Sequence, residues 1–178
     1  MVKVFTLGLS SIKGGAVPAD GSMQTDENLS DYGYTNQNSA TLTMETPEKT
    51  EFFAEEVDDP VLVSQKAGAV TVEWDIMNPS PETLAAFMGG TAGKTSQSAT
   101  DNDKWEAPST VPNIEMALKI TPKQGFIVSI PRANVVGTLS GNFTTGEMVL
   151  LHVVATALTP TGTAAAKKLI LTKKSAQV

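Results

Sequence analysis

The chain has 178 residues, 40% of them hydrophobic and 18% charged, with a formal net charge of −6; that is one domain's worth of sequence with enough apolar material for its own core. It has no cysteine and one histidine, His152, which excludes a disulfide framework, thiolate metal sites, thiol nucleophiles and any mechanism needing two imidazoles from one chain. No apolar run approaches the roughly 20 residues that cross a bilayer, and the first residues show no secretory leader, so the expectation is a soluble protein made in the cytoplasm.

The dominant sequence period is two. Val2, Val4 and Thr6 alternate with Lys3, Phe5 and Leu7, predicting a first strand that ends near Gly8. Ile12–Asn28 holds Gly14, Gly15, Pro18, Asp20, Gly21 and Asp26 and reads as a long loop. Thr35–Met44 alternates polar with small or apolar residues, and Lys49–Val57 resumes as a strand that Asp58-Asp59-Pro60 breaks before Val61–Ser64 extends again. Ala69–Met77 is the clearest strand, with Val70, Val72, Trp74 and Ile76 on one face and Thr71, Glu73 and Asp75 on the other. One helix is predicted over about 80–89: Ser80 as N-cap, Pro81 at the first helical position, Glu82 at the positive end, Leu84, Phe87 and Met88 on one face, and Gly89-Gly90 as the stop. Thr91–Asp103 reads as a mobile polar loop and Trp105–Pro112 as an irregular connection. Four strands then follow closely, Ile114–Thr121, Phe126–Ile130, Ala133–Phe143 and Glu147–Leu158, separated by turns at Pro122–Gly125, Pro131-Arg132 and Thr144–Gly146. A last strand over Lys167–Thr172 runs into a basic tail. Many strands with one helix predict a mainly β protein, an antiparallel β-sandwich or barrel, as a single domain over 1–178 with long loops at 12–28 and 91–104 and a basic C-terminal arm from about 161.

Charge is unevenly placed. Residues 1–89 carry 14 acids and 4 bases, and residues 90–178 carry 5 acids and 9 bases. Halves of opposite charge suit packing of the chain against itself or head to tail against copies of itself. A single arginine, Arg132, and the lack of a basic patch interleaved with aromatics argue against tight nucleic-acid binding.

No pattern of catalytic chemistry stands out, and no cofactor is expected. His152 lies in a run that is apolar on both faces, and reads as a hydrogen-bonded core residue. The acids Glu51, Glu55, Glu56, Asp58 and Asp59 lack the ligand spacing and turning glycine of a calcium loop and the setting of a glycosidase carboxylate pair. They read either as a solvated hairpin or as an acidic surface for a neighbour's lysines. Gly93-Lys94-Thr95 supplies only the end of a phosphate-loop pattern and precedes no helix. Ser10 and Ser11 have no nucleophile elbow and no histidine–acid pair beside them. Trp74 reads as core and Trp105, beside a polar loop, as the better candidate for a contact surface.

The order strand, Asn-Pro-Ser-Pro-Glu-Thr-Leu helix, Gly-Gly, polar loop, Trp-Glu-Ala-Pro and closely spaced strands, over Trp74–Gly90 and Trp105–Phe143, resembles the major tail tube proteins of long-tailed bacteriophages, in particular a group from phages and prophages of gut Bacteroidetes. Tyr32-Gly-Tyr34, Phe52–Pro60 and Lys119–Gly125 carry the same resemblance, which covers roughly Phe5 to Leu171. It implies a β-sandwich or barrel similar to the tube protein of type VI secretion. It also implies six copies in a ring, rings stacked into a hollow tube that passes DNA, and a place in the virion tail after synthesis and assembly in the bacterial cytoplasm. The partners implied are other copies of the chain, possible further tail proteins such as the tape measure, initiator or terminator, and DNA as transient cargo, with no membrane. On this resemblance Met44–Pro60 is the hairpin that makes contact between rings, with its acids (Glu51, Glu55, Glu56, Asp58, Asp59) meeting Lys167, Lys168, Lys173 and Lys174 of a neighbour. The bore would be lined either by Thr71, Glu73 and Asp75 or by Thr138, Ser140 and Asn142.

Three other readings share the sequence. A secreted or surface β-sandwich that binds carbohydrate or mediates adhesion calls for exposed coplanar aromatics and a secretion signal. An enzyme calls for converging polar groups in a pocket. A related tail part, such as a terminator or secretion-tube subunit, shares the fold.

Overall fold

Two strands of alternating burial, of seven and eight residues, build the centre of the sheet around which everything else is arranged, as a computed structural model shows; it describes residues 4–94, 103–164 and 166–174. In β6 (Val70–Ile76) the odd-even alternation is complete: Val70, Val72, Trp74 and Ile76 are buried, while Glu73 is exposed. β11 (Leu150–Ala157) pairs with it antiparallel, Leu151 opposite Ile76 and Val153 opposite Trp74, and buries Leu151, Val153, Ala155 and Ala157 on the same side. β10 (Phe126–Ser140) pairs with β11 along its second half, from Ala133↔Ala157 to Ser140↔Leu150.

The remaining strands extend this sheet on both sides. β9 (Ile114–Gln124) pairs with β10, β1 (Leu7–Gly15) with β9, and the short β2 (Ser30–Asp31) with the end of β1. On the other side β3 (Thr41–Met44) pairs with β6. β12 (Ile170–Lys173) pairs with the first half of β10, from Phe126↔Lys173 to Ser129↔Ile170. The eight strands thus run β2-β1-β9-β10-β11-β6-β3, with β12 beside β10. The sheet folds over one core shared by Ile12, Leu118, Val128 and Ile130 from one part and Val72, Trp74, Val135 and Leu151 from the other. The architecture is mainly β, antiparallel, and consistent with a β-sandwich; among the described residues the path of strands has two ends and does not close into a barrel.

The α-helix seen among the described residues, α1 (Pro81–Met88), forms where its sequence signals lie. Thr83 N–H donates to Ser80 Oγ at 3.2 Å, Pro81 occupies the first position, and Gly89 ends it with a φ of 74°. Its Phe87 is fully buried, meeting Tyr32 at 4.8 Å and Trp74 at 5.9 Å, both edge to face. Gly137 of β10 leaves room for this contact, since a Cβ there would sit 3.0 Å from that of Phe87.

Several boundaries differ from expectation. Residues 1–3 lie outside the described residues, Val4–Thr6 is not strand, and β1 runs through Gly15 into the stretch expected as loop. Gly14 and Gly15 are there for close packing, not for a turn: a Cβ on Gly15 would come 2.5 Å from Asn28 O. Only Thr41–Met44 of 35–44 is strand. β4 (Glu48–Ala54) and β5 (Val57–Lys66) are joined at Glu55-Glu56, so Asp58-Asp59-Pro60 lies within a strand, where an irregularity in register absorbs the proline. In the stretch expected as a loop, β7 (Thr91–Lys94) pairs with β8 (Asp103–Glu106), while 95–102 lies outside the described residues.

Pro131-Arg132 is no turn. β9 faces inward at Met116, Leu118 and Ile120, whereas β10 faces inward at Val128 and Ile130 and then at Ala133 and Val135. One extra residue in β10 changes the phase, a bulge that keeps the apolar set on the core side. The strand starting at Ala133 is therefore the second half of β10, and it stops at Ser140. The stretch expected as a C-terminal arm is tied down as far as Lys174: Ala164 and Ala166 N–H donate to Asp20 O and Gly21 O, and Lys174 N–H to Gly125 O.

Candidate interaction surfaces

Three surfaces emerge from the pattern of exposure. The first is the β4–β5 hairpin, which forms a two-stranded sheet separate from the main one, with nearly every residue exposed. Phe52 lies opposite Leu62, and Phe53, Val61 and Val63 are also exposed. Such a ribbon has no core of its own, and two strands alone are marginal in water. Its base continues the β3–β6 ladder: Glu45 N–H donates to Ala69 O at 2.9 Å, and Ala69 N–H to Glu45 Oε2 at 3.1 Å. Gly68 is needed beside it, because a Cβ there would lie 2.2 Å from Glu45 O.

The acids expected on this hairpin divide in two. Glu51 pairs with Lys49 of its own strand, and Glu48, outside the expected set, pairs with Lys66 across the ribbon at 3.6 Å. Glu55, Glu56, Asp58 and Asp59 crowd the exposed tip. The four lysines expected to meet them also divide. Lys168 Nζ donates to Gly68 O at 3.4 Å, near the base of the hairpin of its own copy. Lys174 Nζ donates to Pro122 O at 3.0 Å and Lys123 O at 3.2 Å, at the opposite end of β12. Lys167 and Lys173 are exposed.

The second surface is the outer face of the sheet. The two sets of polar residues expected as alternatives lie on one and the same face. Thr138 is opposite His152, and His152 opposite Asp75; Thr156 is opposite Thr71, and Val154 opposite Glu73. Ser140 ends β10 on this face, opposite Leu150. Asn142 lies past the strand, and its side-chain amide donates to Glu147 Oε2.

His152 is not a core residue. It faces outward from β11, 41% exposed, and its Nδ1–H donates to Asp75 Oδ1 at 2.7 Å. Asp75 is held in turn by the 34–39 segment, whose Asn36 N–H donates to Asp75 O and whose Ser39 Oγ accepts from Asp75 N–H. A shallow pocket of about 700 Å³ opens here, bounded by Asn36, Thr138, Ser140 and Glu147 besides the pair itself. At the far end of the face Arg132, on the β10 bulge, makes two hydrogen bonds to Glu115, of 2.7 and 2.8 Å. That bidentate contact holds the Glu115 carboxyl below its ordinary range and raises the guanidinium.

The third surface is a cleft of about 1100 Å³ where the two ends of the sheet approach each other. One wall is β1 from Gly8 to Ile12, the other is β3 with the preceding 34–38 segment, and Val72 and Val128 reach it from the core. Sequence alternation gives no warning of it, because it depends on how far the sheet curls. The exposed apolar hairpin does leave a trace, in Phe52-Phe53 and Val61-Leu62-Val63 set among charges.

Trp105 is less available than expected. Its indole N–H donates to Gly89 O at 2.8 Å, fastening the β7–β8 hairpin to the end of α1. Ser10 and Ser11 lie at the cleft wall, and among the described residues no group of three His, Asp or Glu side chains could hold a metal ion. No helix among the described residues is long and apolar enough to cross a membrane. A scan against protein-family models gives no match to the chain, and a search of curated proteins gives none either.

Proposed function

We propose that this chain is a self-assembling structural protein of the phage tail tube type, whose copies form rings, six to a ring, that stack into a conduit for DNA. The observation that carries the reading is the β4–β5 hairpin: an apolar, acid-tipped ribbon standing off the domain, which calls for a partner surface to cover Phe52, Phe53 and Leu62. Sheet edges at β3 and along Leu7–Ile12 of β1, without partners among the described residues, favour the same reading, because edges left open invite pairing between chains. The outer face, with Glu73, Asp75, Thr71 and Thr138 in register, is the bore candidate; its acids would keep a phosphate backbone from adhering. Contacts between unlike surfaces of successive copies close into rings or run on as filaments, as a tube requires.

Negative-stain electron microscopy of the purified protein over a concentration series, with light scattering alongside, tests it. Rings or hollow tubes are expected. A monodisperse monomer at every concentration, also in the presence of a preformed tail tip, overturns the reading and turns attention to a β-sandwich binding module.

A further inference from the structure

We infer that the cleft between β1 and β3 is the seat of the β4–β5 hairpin of a second copy of this chain; the inference rests on the self-assembly reading and names the contact through which assembly works. Both walls of the cleft are strand edges without partners among the described residues. β2 covers only Lys13 and Gly14 of β1, leaving Leu7–Ile12 open on that side, and β3 is paired with β6 along one edge alone. An extended segment laid between them gains main-chain hydrogen bonds from either side and places its side chains over Ile12, Val72 and Val128.

The hairpin fits this seat in length, polarity and charge. Six residues of open β1 edge span about 20 Å and the seven of β4 about 23 Å, at roughly 3.3 Å per residue. Phe52, Leu62 and Val61 are exposed on the hairpin, and Leu42 is exposed at the cleft. Lys123 lines one end of the cleft, beside the β9–β10 turn, where Lys173 lies opposite Phe126 and the Lys174 amine meets Pro122 O. Glu55, Glu56, Asp58 and Asp59 at the hairpin tip supply the opposite charge. The hairpin of the same copy is held away: it continues beyond the end of β3, and its base is fixed by the Glu45–Ala69 hydrogen bonds, whereas the cleft lies alongside β3. Folding back would break those bonds, so the occupant is another copy.

The absence of native cysteine makes a direct test clean. Leu42→Cys and Val61→Cys proteins, prepared separately, are mixed under assembly conditions and mildly oxidised. A disulfide-linked heterodimer on a non-reducing gel is expected, and none from Val61→Cys mixed with Val136→Cys on the outer face. The Leu42→Cys thiol is expected to lose its reactivity toward a bulky maleimide on assembly, with Leu9→Cys repeating the measurement should Leu42→Cys lower the melting temperature. Assemblies in which the thiols of both cleft variants stay freely reactive overturn the cleft assignment and leave self-assembly standing. An intramolecular disulfide in dilute Leu42→Cys/Val61→Cys protein overturns the second-copy occupant. Failure to assemble under any condition overturns both readings together.

Discussion

Phe87 joins the helix to the sheet through three neighbours at once: the edges of Tyr32 and Trp74, and the bare backbone of Gly137. Phe87→Ala leaves a cavity under α1 and is expected to cost about 3–5 kcal/mol, read as a lowered urea midpoint. The Arg132–Glu115 contact has a pH signature. Because the guanidinium holds the folded carboxyl below its ordinary value of 4.5, the contribution is fully present above that value and is lost as pH falls through the folded one. Glu115→Gln is therefore expected to be less stable than the parent at neutral pH, with the gap closing in acid; tryptophan fluorescence in denaturant at pH 7 and pH 3 checks it. His152 marks where residue-scale reading fails. Its strand carries Leu150 and Val154 on the outer face and Leu151 and Val153 on the inner, so alternation of apolar and polar gives no side, and only the pairing with Asp75 places the imidazole outward.

At the scale of elements, β6 and α1 were readable because each carries a local signal that tertiary packing reinforces: a strict alternation in one, a cap, proline and stop glycine in the other. β10 reads from sequence as two strands because Pro131-Arg132 has turn chemistry, and a bulge within a strand uses the same residues. β1 lies beyond the strand expected before Gly8, because Gly8 reads as its end and Gly14-Gly15 as loop, whereas Gly14 and Gly15 admit Tyr32, Leu118 and the backbone of Asn28 to close range. The candidate surfaces were legible in composition, as an acidic cluster and polar strand faces, but not in grouping: register alone shows that Thr71, Glu73 and Asp75 share a face with Thr138 and Ser140. The β4–β5 hairpin contributes nothing to the buried core. Replacing Glu48–Lys66 with a short Gly-Ser linker is expected to leave far-UV circular dichroism of the main sheet and its denaturation midpoint nearly unchanged while abolishing assembly by light scattering.

For the whole molecule, the acidic first half and the more basic second half are intermixed in one sheet, but the hairpin keeps its tip acids apart from the lysines around the β9–β10 turn. Contacts between copies that join these groups are screened when the Debye length falls from about 10 Å at 0.1 M salt to about 3 Å at 1 M. Assembly is accordingly expected to slow as salt rises, with a steeper dependence for the parent than for a Glu55→Gln/Glu56→Gln protein; the initial slope of light scattering against salt measures both. The insertion of β11 between β10 and β6 has a consequence in time. Trp74 finds its partner Val153 only 79 positions later, roughly 4 to 16 seconds of translation at about 5–20 residues per second. On the proposed assembly, a nascent chain displays its hairpin through that interval while its own receiving domain is still incomplete. Neighbouring ribosomes on one message would then carry donors without acceptors, and the last strands to emerge would act as the clock that makes each copy fit to join another.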